Sequence, residues 1–279
     1  MDYYGIKIIG LTDPVHREVA VALLSEKGCD SFDEAENSMT AYVTADLYKE
    51  TITESVKTFF NEQSIHPEIV IDFYPSQNWN EVWEKNFDPV VISDDCIICA
   101  PFHENIPDCK YKIVIMPQMS FGTGHHETTS QMCSFLLQQN LHDKKVLDMG
   151  CGTAVLAVLA AKLGAEKVVA IDNDEQACEN ARENIERNGL SGIPVIAGGA
   201  EVLKDQEFFN LILANINRNV LTRDMNVYAD HLQQGGILVV SGFFIQEEDL
   251  LKSVAAQNGM KFISAESKNN WACMSFCKE

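Results

Sequence analysis

Val146-Leu147-Asp148-Met149-Gly150-Cys151-Gly152-Thr153-Ala154 is an apolar strand running into a glycine turn. Asp172 follows Gly150 by twenty-two positions, closing a second apolar run in Ala170-Ile171-Asp172-Asn173-Asp174. Strand, tight turn, helix and a second strand ending on a carboxylate make the βαβ unit that grips nucleotides in parallel α/β sheets. Small residues at the turn let backbone come close to a ligand, and the acid can accept both hydroxyls of a ribose. Asp148, two residues before the first glycine, decides the kind of ligand. A carboxylate there repels a dinucleotide's pyrophosphate. It suits a cofactor with an ammonium and a sulfonium, as S-adenosylmethionine has. Val155 stands where the dinucleotide fingerprint would place its third glycine.

Outward from this turn the pattern stays regular. Strands are expected near 145–149, 167–172, 194–197, 209–215, 236–242, 260–266 and 271–277. Helices are expected near 153–163, 174–188, 218–232 and 246–257, and Gly164, Gly189 and Gly259 fall where helices should stop. Such alternation predicts an α/β fold with a seven-stranded, doubly wound, Rossmann-like sheet. The last two strands have no helix between them and should form an antiparallel hairpin at one edge.

Residues 1–75 read differently. Tyr3–Leu11, Ser38–Thr44 and Glu68–Tyr74 alternate as strands. Helices are expected from Thr12-Asp13-Pro14 and over Ala45–Gln63, with Leu47, Ile52, Val56 and Phe59–Phe60 on one face. This is a small α+β, ferredoxin-like layer. It carries 14 acids against 5 basic residues, net −9, and no catalytic cluster, so recognition of a substrate is its expected role. Residues 76–90 form the expected linker, with Trp79 and Trp83 four apart on a short helix, and 91–279 the cofactor domain. Val90–Ala100 and Tyr111–Met116 are read as strands leading into it.

Composition narrows the partners. The chain of 279 residues has 41 acids, 21 basic residues and a formal net charge of −20. That field repels nucleic acid and attracts cations, which argues against a direct nucleic-acid substrate. Nine scattered cysteines point to a reducing compartment. The Cys96-x-x-Cys99 pair lacks the companions of a metal site, and no metal is expected. The absence of a long apolar run or a leader pattern makes a cytoplasmic protein without membrane contact the expectation.

Two further segments carry chemistry. Phe121-Gly122-Thr123-Gly124-His125-His126-Glu127-Thr128-Thr129 is a glycine-rich loop able to cover a ligand, and it leads into a helix near Thr129. Asn210-Leu211-Ile212-Leu213-Ala214-Asn215 is a buried strand ending on an amide at the carboxyl edge of the sheet, where such sheets bind ligands. Asn215 can accept a hydrogen bond from an amine nucleophile and aim its lone pair. The Asn-Pro-Pro-Tyr run of enzymes that methylate adenine or glutamine amides is absent.

Taken together, Phe-Gly-Thr-Gly-x-His-x-Thr-Thr, Asp-x-Gly-Cys-Gly and Ala-Asn-Ile resemble the methyltransferase family that modifies large-subunit ribosomal protein L11. The likeness extends over most of the chain, including Trp-x-x-x-Trp with Asn86-Phe87-x-Pro89. It implies methyl transfer from S-adenosylmethionine to lysine side chains and the N-terminal α-amine of that partner. The cofactor positions it implies are Thr129, Gly150, Asp172 and Asn215, beside Asp148 and Gly152 read from the turn itself. Asn215 is the expected catalytic residue; His126 or bulk water would take the proton. The chain departs from the family with His125-His126-Glu127 for Thr-His-Pro, Ala154 for a glycine, and Met116-Pro117-Gln118 for Asp-Pro-Gly. The rival readings are a methyltransferase for another acceptor and a binding module that keeps the cofactor without catalysis.

Overall fold

The computed structural model describes residues 1–75, 84, 87–117, 121–205 and 207–279. The chain divides into two compact units, Met1–Asn86 and Phe87–Glu279. Trp79, Trp83, Asn86 and Gln118 lie outside the described residues.

The first unit runs β1 (Tyr3–Ile9), α1 (Pro14–Ser25), β2 (Ser31–Ala35), β3 (Ser38–Thr44), α2 (Glu50–Glu62) and β4 (Glu68–Tyr74). Its antiparallel sheet has the order β2-β3-β1-β4. Asp13 caps α1 by accepting the Val15 N–H at 2.9 Å, with Pro14 at the first helical position. Alternate residues Ile6, Ile8, Met39, Ala41 and Val43 point to one face and are buried with Leu24, Ile52, Val56 and Phe60. Two expectations need correction. Helix α2 starts at Glu50 rather than Ala45, because the Leu47 and Tyr48 amides fold back onto the Thr44 carbonyl and leave Leu47 51% exposed. Strand β2 escaped detection because Phe32 is its only large apolar residue and it pairs on one side alone.

In the second unit β5 (Val90–Ser93), β6 (Cys96–Cys99) and β7 (Tyr111–Val114) form a small sheet in that order. The segment read as one strand, Val90–Ala100, is therefore a hairpin broken at Asp94-Asp95. Cys96 and Cys99 are buried on β6, and burial pushes the Cys96 thiol up to about 11.

The large sheet contains β8 (Lys145–Met149), β9 (Lys167–Asp172), β10 (Val195–Ala197), β11 (Phe209–Asn215), β12 (Leu232–Phe244), β13 (Met260–Lys268) and β14 (Trp271–Lys278). Their order is β10-β9-β8-β11-β12-β14-β13. All pairings are parallel except those of β14, which inserts antiparallel between β12 and β13. Helices α3 (Glu127–Leu137), α4 (Val155–Lys162), α5 (Glu175–Arg187), α6 (Arg218–His231) and α7 (Glu248–Gln257) complete the unit. Residues of α3, α4 and α5 pack with Val146, Val168, Leu211 and Leu213 in one core. Those of α6 and α7 pack with Leu147, Val169, Ile212 and Ala214 in another, so the sheet is covered on both faces. This two-sided burial is why the strands read as continuous apolar runs.

Candidate active site

The two-residue pleat of the strands assembles the site. Val146, Val168 with Ala170, and Leu211 with Leu213 face the α3–α5 side. Counting on by two places Asp148, Asp172 and Asn215 on that same side, at the carboxyl ends of three adjacent strands. The chain winds from β8 to β9 and β10 in one direction and to β11 and β12 in the other. The β8–β11 junction is thus the topological switch point, the preferred ligand site of open α/β sheets.

A pocket of about 420 Å³ lies there, lined by Gly150, Gly152, Asp172, Asp174 and Asn215 together with Phe121, His126, Thr128, Ile216 and Trp271. Among the described residues no lysine or arginine lines it. An acid-sided cleft without a fixed cation favours a positively charged ligand.

The amides of the glycine turn are tied down by protein groups. Gly150 and Cys151 donate to the Ile171 carbonyl at 2.8 and 3.0 Å, and Gly152 donates to Asp172 Oδ2 at 2.8 Å. Thr153 donates to the Phe121 carbonyl at 3.0 Å. Smallness serves the same packing. A Cβ on Gly150 would strike Ile216, and one on Gly152 would strike the Phe121 carbonyl. Both glycines also hold positive φ, 71° and 52°.

Each predicted side chain has a defined setting. Asp172 is 8% exposed; Oδ2 accepts from Gly152, and Oδ1 accepts from the Asp174 amide at 3.0 Å. A carboxylate oxygen can accept more than one hydrogen bond, so both keep capacity for further donors. Asp148 is 1% exposed and lies beneath the turn rather than on the pocket wall. Its Oδ2 accepts the Ala157 N–H at 2.9 Å, in the first turn of α4, while Oδ1 has no partner. Burial, with a smaller push from the charge of Asp172, raises this carboxyl to about 8 against the stabilising Ala157 N–H.

Asn215 donates from Nδ2 to Thr129 Oγ1 at 3.3 Å, and its Oδ1 is a buried acceptor without a partner. Thr129 is fully buried, reaching the site through Asn215, whereas its neighbour Thr128 lines the pocket. His126 caps α3: its Nδ1 accepts the Thr128 N–H at 3.3 Å and lies 2.8 Å from the Thr128 hydroxyl. The lone pair that a general base would use is committed to that cap, which disfavours His126 as proton acceptor. Sequence reasoning missed Trp271. Its ring stands 4.7 Å from His126 and 4.2 Å from Phe244, and His126 is 5.2 Å from Phe121. The available signal was its position directly after the Asn269-Asn270 hairpin turn, whose residues have φ of 49° and 68°.

A parallel sheet of this order, with a reversed strand inserted near one edge and an acid-sided pocket at the switch point, defines a Rossmann-like methyltransferase. Comparison with known proteins goes further. The sequence model of the family described as ribosomal protein L11 methyltransferase (PrmA) matches residues 9–279. A ribosomal protein L11 methyltransferase of Phocaeicola vulgatus is 43% identical over 260 residues, 93% of this chain and 92% of the relative. Another, of Porphyromonas gingivalis, is 41% identical over 278 residues, 98% of this chain and 96% of the relative. The chain belongs to the ribosomal protein L11 methyltransferase family. Among solved structures, a ribosomal protein L11 methylase from Lactobacillus delbrueckii subsp. bulgaricus shares the fold with a TM-score of 0.64 at 24% identity. That match covers 69% of this chain and 100% of the other.

Proposed function

We propose that this methyltransferase moves methyl groups from S-adenosylmethionine to amino groups of ribosomal protein L11, lysine side chains and the N-terminal α-amine. The observation that carries the reading is the pairing of an acid-sided pocket, with no lysine or arginine among its described lining residues, with the unpartnered carbonyl of Asn215. The donor set fits the cofactor. Asp172 accepts the ribose hydroxyls on its remaining lone pairs, and Asp148, beneath the turn, offers a counter-charge to an ammonium on giving up its proton. S-adenosylmethionine, when bound, supplies a methyl group made electrophilic by its sulfonium.

The protein's own part is alignment and dehydration. A lysine amine has an ordinary pKa of about 10.4 and must shed its proton before attack, which partial desolvation in the cleft promotes. Asn215 Oδ1 accepts a hydrogen bond from the neutral amine and so orients its lone pair. Thr129 accepts from the Nδ2 end of that amide and so helps to hold it in place. With His126 committed to its cap, water takes the proton. Fixing nucleophile and methyl carbon in line is a proximity effect that can supply several kcal/mol.

Residues 1–75 are read as a ferredoxin-like, substrate-recognition domain, with 76–90 as the linker into the methyltransferase domain. Its β-α-β-β-α-β order and its net charge of −9 support a role in docking a cationic protein. A cytoplasmic location follows from the ribosomal partner proposed for it. Among the described residues no helix is long and apolar enough to cross a membrane. Intact-mass spectrometry of purified ribosomal protein L11, incubated with the enzyme and S-adenosylmethionine, tests the proposal. Mass gains in whole methyl units support it, and an unchanged mass after long incubation favours a binding module.

A further inference from the structure

Helix α5 and its C-terminal cap carry asparagines at i, i+4 and i+8: Asn180 and Asn184 on the helix and Asn188 at the cap. Such a row lies along one side of a helix, and here it faces the chain that leaves β7. Asn188 accepts the Val114 N–H at 2.9 Å and donates to the Val114 carbonyl at 2.7 Å. Two residues on, Asn184 accepts the Met116 N–H at 2.8 Å, and Asn180 donates to the Met116 carbonyl at 3.5 Å. The helix thus satisfies alternate backbone groups of 114–116 much as a neighbouring strand would.

Asn184 also reaches the glycine turn. It is fully buried, and its Nδ2 donates to the Thr153 carbonyl at 3.2 Å. Thr153, also fully buried, is bonded three ways. Besides accepting from Asn184, its N–H donates to Phe121 O at 3.0 Å and its hydroxyl to Gly122 O at 2.6 Å. Phe121 lines the pocket while 53% exposed, so no burial of its own holds it there.

We propose that Thr153 and Asn184 are positioning residues that clamp Met116 and Phe121–Gly122 onto the glycine turn and thereby keep Phe121 at the cofactor pocket. The inference rests on the pocket's being the S-adenosylmethionine site. Removing the Thr153 hydroxyl leaves the Gly122 carbonyl unpaired and frees the backbone beside Phe121, so cofactor affinity falls while the turn itself remains.

Two substitutions in the full-length protein separate clamping from packing. Thr153→Val keeps the buried volume and loses the hydroxyl; Thr153→Ser keeps the hydroxyl and loses a buried methyl. Calorimetric titration with S-adenosylmethionine should give a Kd roughly tenfold weaker for Thr153→Val, and within roughly threefold of the wild type for Thr153→Ser. Hydrogen exchange at 121–124 should speed up in Thr153→Val alone. If Thr153→Val does not fold, Thr153→Ala against Thr153→Ser isolates the same hydroxyl. Wild-type affinity in Thr153→Val, or affinities that follow the melting temperatures of the variants, would overturn the inference. Absence of S-adenosylmethionine binding by the wild type would instead defeat the assignment of the pocket.

Discussion

Replacing Asp148 with asparagine should stabilise the ligand-free protein at alkaline pH and weaken its hold on a cationic cofactor. The carboxyl is 1% exposed, has the Ala157 N–H as a partner for one oxygen and none for the other. Burial, then the neighbouring charge of Asp172, set its pKa at about 8 despite the Ala157 bond. In the unfolded chain an aspartate titrates near its ordinary value of about 3.9. Between these two values the native state holds one more proton than the unfolded state. Stability from this group is therefore fully present below about pH 4 and is lost as pH rises through about 8. The gap between about 3.9 and about 8, at about 1.36 kcal/mol for each tenfold, gives a ceiling on the order of 5 kcal/mol. The substituted asparagine has no charge to bury and keeps an oxygen for Ala157, so the variant lacks this slope. Urea unfolding of the two full-length proteins at pH 5 and pH 9, without cofactor, is the assay. An advantage for Asp148→Asn that widens clearly from pH 5 to pH 9 is expected. An unchanged difference across that range would refute a protonated, buried Asp148. The same reasoning predicts that S-adenosylmethionine binding near pH 7 releases up to one proton from the wild type and none from the variant, measured by calorimetry in buffers of different ionisation enthalpy.

Asp172→Ala should cost on the order of 1.5–3 kcal/mol of S-adenosylmethionine affinity, since a charged acceptor for ribose hydroxyls is lost. It should also lower the melting temperature, because the Gly152 and Asp174 amides lose their acceptor; wild-type affinity in the folded variant would show the ribose contact to be misassigned. Ala154 occupies the left-handed region with φ of 61° at the cap of α4, a conformation that costs a residue with a Cβ about 1 kcal/mol. Ala154→Gly should raise thermal stability by up to about that amount, and a lower melting temperature would show the strain to be absent.

The strands of the large sheet were legible for a physical reason. With both faces buried, β8, β9 and β11 had to be unbroken apolar runs, and their ends were marked by Met149-Gly150, Asp172 and Asn215. Their shared face followed from the pleat alone. Short or edge strands carry less apolar signal, which hid β2 and merged β5 with β6. The turn's chemistry was half legible. The need for small residues at Gly150 and Gly152 was visible, but the neighbours that impose it, Ile216 and Phe121, come from distant sequence. Thr129's route to the site through Asn215, the capping of α3 by His126 and the aromatic wall at Trp271 are likewise contacts that only the folded chain brings about. No periodicity in a single sequence encodes them.

At the centre of the account stands Asn215, whose unpartnered carbonyl is assigned to the attacking amine. Single-turnover transfer to ribosomal protein L11 at saturating S-adenosylmethionine, by wild type and by Asn215→Ala, tests it most directly, with cofactor Kd measured alongside. The account predicts a chemical rate at least roughly a hundredfold lower (about 2.7 kcal/mol) with a Kd changed by only a few-fold. An unchanged rate at saturation, or a loss wholly explained by weaker cofactor binding, would contradict it.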